Sequence, residues 1–356
     1  MKSYNPVRHI SLCLASLFLL ALSAGTHAGG TAPGTDINNQ ATLNYKVGGS
    51  DQLPVTSDGD SGTPGNQATT FKVDQKVDLT VASNGGATVS PNSNDQVLPF
   101  TLTNTGNDTH GYLLSTVAGV DATDDDFDMN SVRIFIDNGI VGTYESGIDT
   151  PYTAGTNVAD LAPDASINLL IVANTPGTAS DTETSLYHLL AQATDAGTTT
   201  PAAKTVGADD PTAVDTAFAE EAGSAGIAND DAQDGKHSAS GTYSVQSATV
   251  TVTKDAEVTN DGLVPATLAP NAKAIPGATV TYTLSIINSG TAAASSLVLT
   301  DDLQVAEVTY NAGSVNFVSG CNGATSDSFA TPTLTINVGT VTGGSTCTIT
   351  YSVTIN

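Results

Sequence analysis

Two stretches combine residue types that could do chemistry. Gly59-Asp60-Ser61-Gly62 presents a serine in the tight, glycine-flanked setting that suits a nucleophile. Such a serine also needs a histidine base oriented by a carboxylate. The histidines before Ser61 are His9 and His27, both in the leader, and His110, His188 and His237 stand singly further on. A serine hydrolase is therefore disfavoured. The second stretch, residues 137–149 (DNGIVGTYESGID), follows the strand-like VRIFI and has the length of a calcium loop. Counted from Asp137, Gly142 takes the glycine position, Thr143 the backbone-carbonyl position, Glu145 the ninth and Asp149 the thirteenth. Gly139 and Val141 stand where two further oxygen ligands belong, so the site is degenerate. Asp137, Glu145 and Asp149 are the candidate metal ligands, for Ca²⁺, against the simpler reading of a hairpin turn. No cofactor is required.

Carboxylates are densest in residues 121–128 (DATDDDFD) and 229–234 (NDDAQD), which read first as solvated acidic loops and second as cation sites. Lys76 and Lys254 lie near strand starts in a chain rich in Asn and Asp. They are placed for amide crosslinks like those of some surface adhesins, with solvated lysine as the plainer reading. Cys321 and Cys347 flank strand-like segments of the last domain, and a disulfide between them is expected in an oxidising compartment.

The elements that must hold these residues are strands. The 356 residues contain no Trp, and 36 acidic against 10 basic residues give a net charge of −26. This surface repels nucleic acid and anionic lipid. Lys2, Arg8 and His9, the apolar run at 10–22 and Thr26-His27-Ala28 make residues 1–28 a signal peptide that is cleaved, so the chain is exported, to the extracellular space, the cell surface or the periplasm. No membrane insertion is expected after cleavage.

Period-two alternation marks Ala41, Leu43, Tyr45 and Val47, then Leu98, Phe100 and Leu102, then Val280, Tyr282 and Leu284. Residues 48–66 read as a loop, residues 242–252 as one strand, and residues 186–193 as a strand with a helical alternative. Residues 213–222 could form one short helix, within a segment that reads mainly as a long surface excursion. Asn104-Thr105-Gly106 and Asn288-Ser289-Gly290 end matching strands, a two-copy similarity consistent with two related sandwiches. The expected fold is all-β: two immunoglobulin-like β-sandwich domains after the signal peptide. The first spans 29–252, with a leading hairpin at about 36–75 and an acidic Ala/Asp/Gly-rich excursion at about 198–240, and the second spans 253–356.

Pro276-Gly277, VTYTL, Asn288-Ser289-Gly290, LVLTDDL and the last strand TCTITYSVTIN resemble the bacterial and archaeal surface repeat known as domain of unknown function eleven. The earlier pieces GTDINNQATLNY and FIDNGIVGTYESGIDTPY resemble the leading region of such proteins. The resemblance implies a secreted or cell-surface, non-enzymatic protein with immunoglobulin-like sandwiches. The expected function is structural or adhesive; the strand Ala41, Leu43, Tyr45 and Val47 is a candidate for exchange with a neighbouring copy, weighed against the stronger reading that it pairs within its own chain. The expected partners are the protein itself or other surface components. The alternative is a monomeric module binding a glycan or protein through its loops.

Overall fold

The computed structural model describes residues 30–57, 68–119, 125–323 and 325–356. Residues 1–28, expected to be a signal peptide, Ser61 and residues 121–124 of the first acidic cluster lie outside the described residues. Among the described residues there is no helix, and the protein is an all-β sandwich fold. Sparse Lys and Glu leave little for a helix to show to water, whereas Thr and Val suit a pleated, half-buried surface.

The first strands among the described residues form a long two-stranded ribbon. Asp36–Asn39 (β1) pairs with Thr69–Lys72 (β6), Thr42–Leu43 (β2) with Val55–Thr56 (β5), and Lys46–Val47 (β3) with Ser50–Asp51 (β4). Gly48 and Gly49, both at positive φ, form the tip, as a tight hairpin turn of this hand requires. Within the segment read as a loop, Ser50–Asp51 and Val55–Thr56 therefore return as part of the second arm of the ribbon.

The larger core lies between two sheets. Gln75–Val77 (β7) pairs outside them. Leu79–Ser83 (β8), Gln96–Asn104 (β10), Asn130–Ile136 (β12), Thr150–Pro151 (β13) and Ser166–Asn174 (β14) form one sheet, in the order β13-β12-β14-β10-β8. Ala87–Val89 (β9), His110–Ala118 (β11), Thr184–Asp195 (β15) and Lys236–Val245 (β17) form the other, in the order β11-β15-β17-β9. Leu98, Phe100 and Leu102 project from the first sheet, with Leu169 and Ile171, onto Tyr112, Leu189 and Tyr243 of the second. Residues 186–193 are thus strand, with alternate side chains in the core.

The short helix that residues 213–222 could have formed within the excursion is not present. Thr216–Phe218 (β16) instead runs parallel to β7 and buries Phe218 in the core, where tertiary pairing overrides an Ala-rich composition. The acidic excursion is correspondingly shorter than its composition suggests, because β17 begins at Lys236.

Residues 242–252 are not one strand either. The chain leaves β17 at Val245 and re-enters a different sheet as Val250–Asn260 (β18). Asp181 holds the crossing, accepting hydrogen bonds from Ser247 N at 2.7 Å and from Thr291 N at 2.9 Å.

The second core lies between β18, Thr279–Asn288 (β19), Val308–Tyr310 (β21), Asn316–Ser319 (β22) and Ser345–Ile355 (β25) on one side, and Ala294–Asp302 (β20), Ser326–Ala330 (β23) and Thr333–Val341 (β24) on the other. The central strand is β25, flanked by β19 and then β18. Cys321 and Cys347 are disulfide-bonded. Cys347 is buried in β25, so the bond fastens the loop after β22 to the core.

The two similar turns are built alike. Asn104 Nδ2 donates to the carbonyls of Asp108 and Leu161, both at 2.8 Å, and its Oδ1 accepts from Gly106 N at 3.0 Å. Asn288 Nδ2 donates to Ala292 O at 2.8 Å and Val341 O at 3.1 Å, and its Oδ1 accepts from Gly290 N at 3.2 Å. Both asparagines are fully buried. A Cβ at Gly106 would collide with Lys76 O, and one at Gly290 with Ser247 O, so each turn requires glycine.

Candidate functional site

The loop from Asp137 to Asp149 lies across the outer face of the five-stranded sheet, where Tyr144 packs 4.7 Å from Phe135 and Arg133 covers both rings. Its carboxylates serve its own backbone. Asp137 Oδ2 accepts from Gly142 N at 2.7 Å, and Glu145 Oε2 from Ile140 N at 2.6 Å. Asp149 accepts from Asn138 N at 3.0 Å and Glu145 N at 2.7 Å. Hydrogen bonds of this kind satisfy amides that a turn would otherwise leave unpaired.

Among the described residues, the carboxylates that converge are Asp74, Asp209 and Asp215, whose oxygens lie within 4.8 Å of one another. Pairing of β16 with β7 brings them together: Asp215 N donates to Asp74 Oδ1 at 2.9 Å, and Gln75 N to Asp215 O at 2.8 Å. Desolvation, followed by the charge of Asp74, raises the pKa of Asp209. Three hard oxygens suit Ca²⁺ better than a softer metal, but they are half or fewer of the six to eight that the ion takes. Neither sequence spacing nor a loop motif signals this group, because a parallel pairing assembles it from distant segments.

The lone histidines also acquire neighbours. His188 is buried, with Nδ1 2.7 Å from Ser224 Oγ. Burial lowers its pKa, partly offset by the charge of Asp230. Asp230 belongs to the 229–234 cluster read as solvated, yet it is fully buried and accepts from Ser238 Oγ at 2.5 Å. The peptide amides beside Ser224 are already engaged: Ser224 N with Ser238 O, and Ala225 N with Ser238 Oγ.

Glu220 sits in the same segment. It is buried, accepts from Gly235 N at 2.6 Å and leaves Oε2 without a partner. Burial is the main cause raising its pKa above 4.5. The raised value means that the fold disfavours the carboxylate, so stability is lost as pH climbs through the unfolded pKa and beyond. Glu220→Gln should therefore melt higher than the natural protein at pH 7, with the difference closing under acid conditions. Circular dichroism melts across pH would show this, and an advantage that persists in acid would refute the assignment.

Lys76 and Lys254 differ sharply. Lys76 Nζ pairs with Asp78, two residues along the chain. Lys254 Nζ reaches across to the opposite sheet, 2.5 Å from Asp301 Oδ2.

The ribbon tip exposes its apolar side chains. Leu43, Tyr45, Val47, Leu53 and Val55 are all exposed, Leu53 by 87 %. Val47 and Leu43 pair within the chain, with Ser50 and Val55 respectively. A separate groove of about 430 Å³ opens between β11 and β12, lined by Leu114, Thr116, Ile134, Phe135, Pro151 and Tyr152.

No family model and no curated protein matches this sequence. Among solved structures, the chain is similar to one named BspA_C_WT, at 10% identity over 78% of this chain and 91% of that one, with a TM-score of 0.32. It is also similar to a Corynebacterium diphtheriae structure named as a membrane anchored protein, at 10% identity over 90% and 89% of the two chains, with a TM-score of 0.21.

Proposed function

We propose that the protein is an exported structural module that self-associates through its leading ribbon. The observation that carries this reading is the exposed apolar set Leu43, Tyr45, Val47, Leu53 and Val55 on a two-stranded ribbon. An isolated two-stranded ribbon is marginal in water and gains most by joining a further strand or covering surface. A second copy supplies such a surface at every encounter, and the acidic charge keeps association from becoming indiscriminate. The resemblance of residues 250–356 to the surface repeat agrees with a structural rather than enzymatic role.

The test is light scattering on the mature protein over a range of concentrations, beside Leu43→Asp and Tyr45→Asp. The natural protein should form oligomers or fibres, visible by electron microscopy, and both variants should remain monomeric with unchanged melting. Monomers at every concentration, salt and Ca²⁺ level would sink the reading. The groove beside β11 favours a second reading, a monomeric binding module, for which saturable ligand binding without polymer is the expected outcome.

A further inference from the structure

We propose that Lys254 and Asp301 condense to an intramolecular amide that joins the two sheets of the second sandwich. Lys254 lies on β18 opposite Leu284 of β19, so its side chain shares the inward face with Leu284 and Tyr282. Asp301 lies on β20 in the facing sheet. Lys254 Nζ and Asp301 Oδ2 are in direct contact, 2.5 Å apart. Tyr351 Oη donates to the same Oδ2 at 2.5 Å. Nζ also sits 4.2 Å from the Tyr282 ring centroid and 5.6 Å from that of Tyr351, and the two rings stack 5.1 Å apart. Asp301 is 15% exposed and Lys254 35%.

The site thus holds an amine against a carboxyl with a hydroxyl on the departing oxygen, beside two stacked tyrosine rings. Contact enforced by the fold replaces an encounter between the two groups. A proton passes from the lysine ammonium to Oδ2. The freed amine attacks Cγ, forming the N–Cγ bond. The Cγ–Oδ2 bond breaks as Tyr351 protonates Oδ2, which leaves as water. The attacking nitrogen returns a proton to Tyr351 and keeps one as the amide N–H. Ammonium plus carboxylate become amide plus water, with no oxidant or energy source. Burial, then the hydrogen bond to Asp301, raises the Tyr351 pKa, so the phenol remains a proton donor at neutral pH.

The location also gives the bond a structural role. β18 is an edge strand, joined in its sheet to β19 alone, and Val250 and Val252 on it are exposed. A covalent tie from β18 to β20 would hold that edge onto the opposite sheet. Lys76 offers a contrast, because an amide to Asp78 would join near neighbours on the chain and fasten nothing.

Intact mass of the denatured mature protein decides the matter without any variant. The expected mass is lower by one water than the sequence with its disulfide formed. A protease digest should contain the Lys254 peptide linked to the Asp301 peptide. Lys254→Arg and Asp301→Ala should each restore the full mass, and Tyr351→Phe should leave most molecules unlinked while the circular dichroism spectrum stays that of a folded sandwich. A natural protein at full mass, with Lys254 open to acetylation after denaturation, would overturn the proposal and leave an ion pair only. Oligomeric state does not enter this result, so it stands or falls separately from ribbon-mediated assembly.

Discussion

Asn288→Ala should destabilise the protein by about 3 kcal/mol, and Asn104→Ala by a similar amount. Each replacement strands two buried carbonyls and a glycine amide: Ala292 O, Val341 O and Gly290 N in one case, Asp108 O, Leu161 O and Gly106 N in the other. A buried polar group left unpaired loses roughly 1–3 kcal/mol, and partial relaxation keeps the three from adding in full. Exposed asparagines such as Asn38 should tolerate the same change within about 0.5 kcal/mol. Urea titration of the three variants would measure the contrast. A loss below about 1 kcal/mol at both buried positions would mean that water replaces the amide.

Reducing the Cys321–Cys347 bond should have an effect of comparable size. The cysteines are 26 residues apart, and opening a loop of that length releases about 3.5 kcal/mol of chain entropy in the unfolded state. The folded state should change little, because Cys347 stays in the middle of β25. The expected result is a lower melting temperature under reductant, matched by Cys321→Ala with Cys347→Ala. Equal melting with and without reductant would show that the bond does not restrict the unfolded chain.

These two features show how far sequence reasoning reaches. The Asn-x-Gly strings and the cysteine pair are local or few in number, so they could be read directly. What the string conceals is the direction of the asparagine side chain, which turns inward to satisfy carbonyls from another strand. Alternation was equally legible at Leu98, Phe100 and Leu102, because one face of the sheet is buried and the other is not. The segment between β15 and β17 was poorly legible. Its small and acidic residues look solvated, yet Phe218, Glu220 and Asp230 are buried by contacts with distant strands. Asp74, Asp209 and Asp215 were illegible for the same reason. The break at residues 246–249 escaped because strand-like residues stand on both sides of it, and the partner strands change there. Lys254 was visible as a lysine near a strand start, but its partner Asp301 became evident only when the two sheets were set face to face.

The order of strands around β25 has a mechanical consequence. β18 and β25 each run antiparallel to β19, so they point the same way and lie on either side of it. A pull applied at residue 250 and at residue 355 therefore acts along the strand axes in opposite senses. Hydrogen bonds of an antiparallel ladder stand across that direction, so all the rungs of both ladders carry the load at once. Such an arrangement yields in one abrupt step at high force, where a hairpin peeled from its end would give way rung by rung.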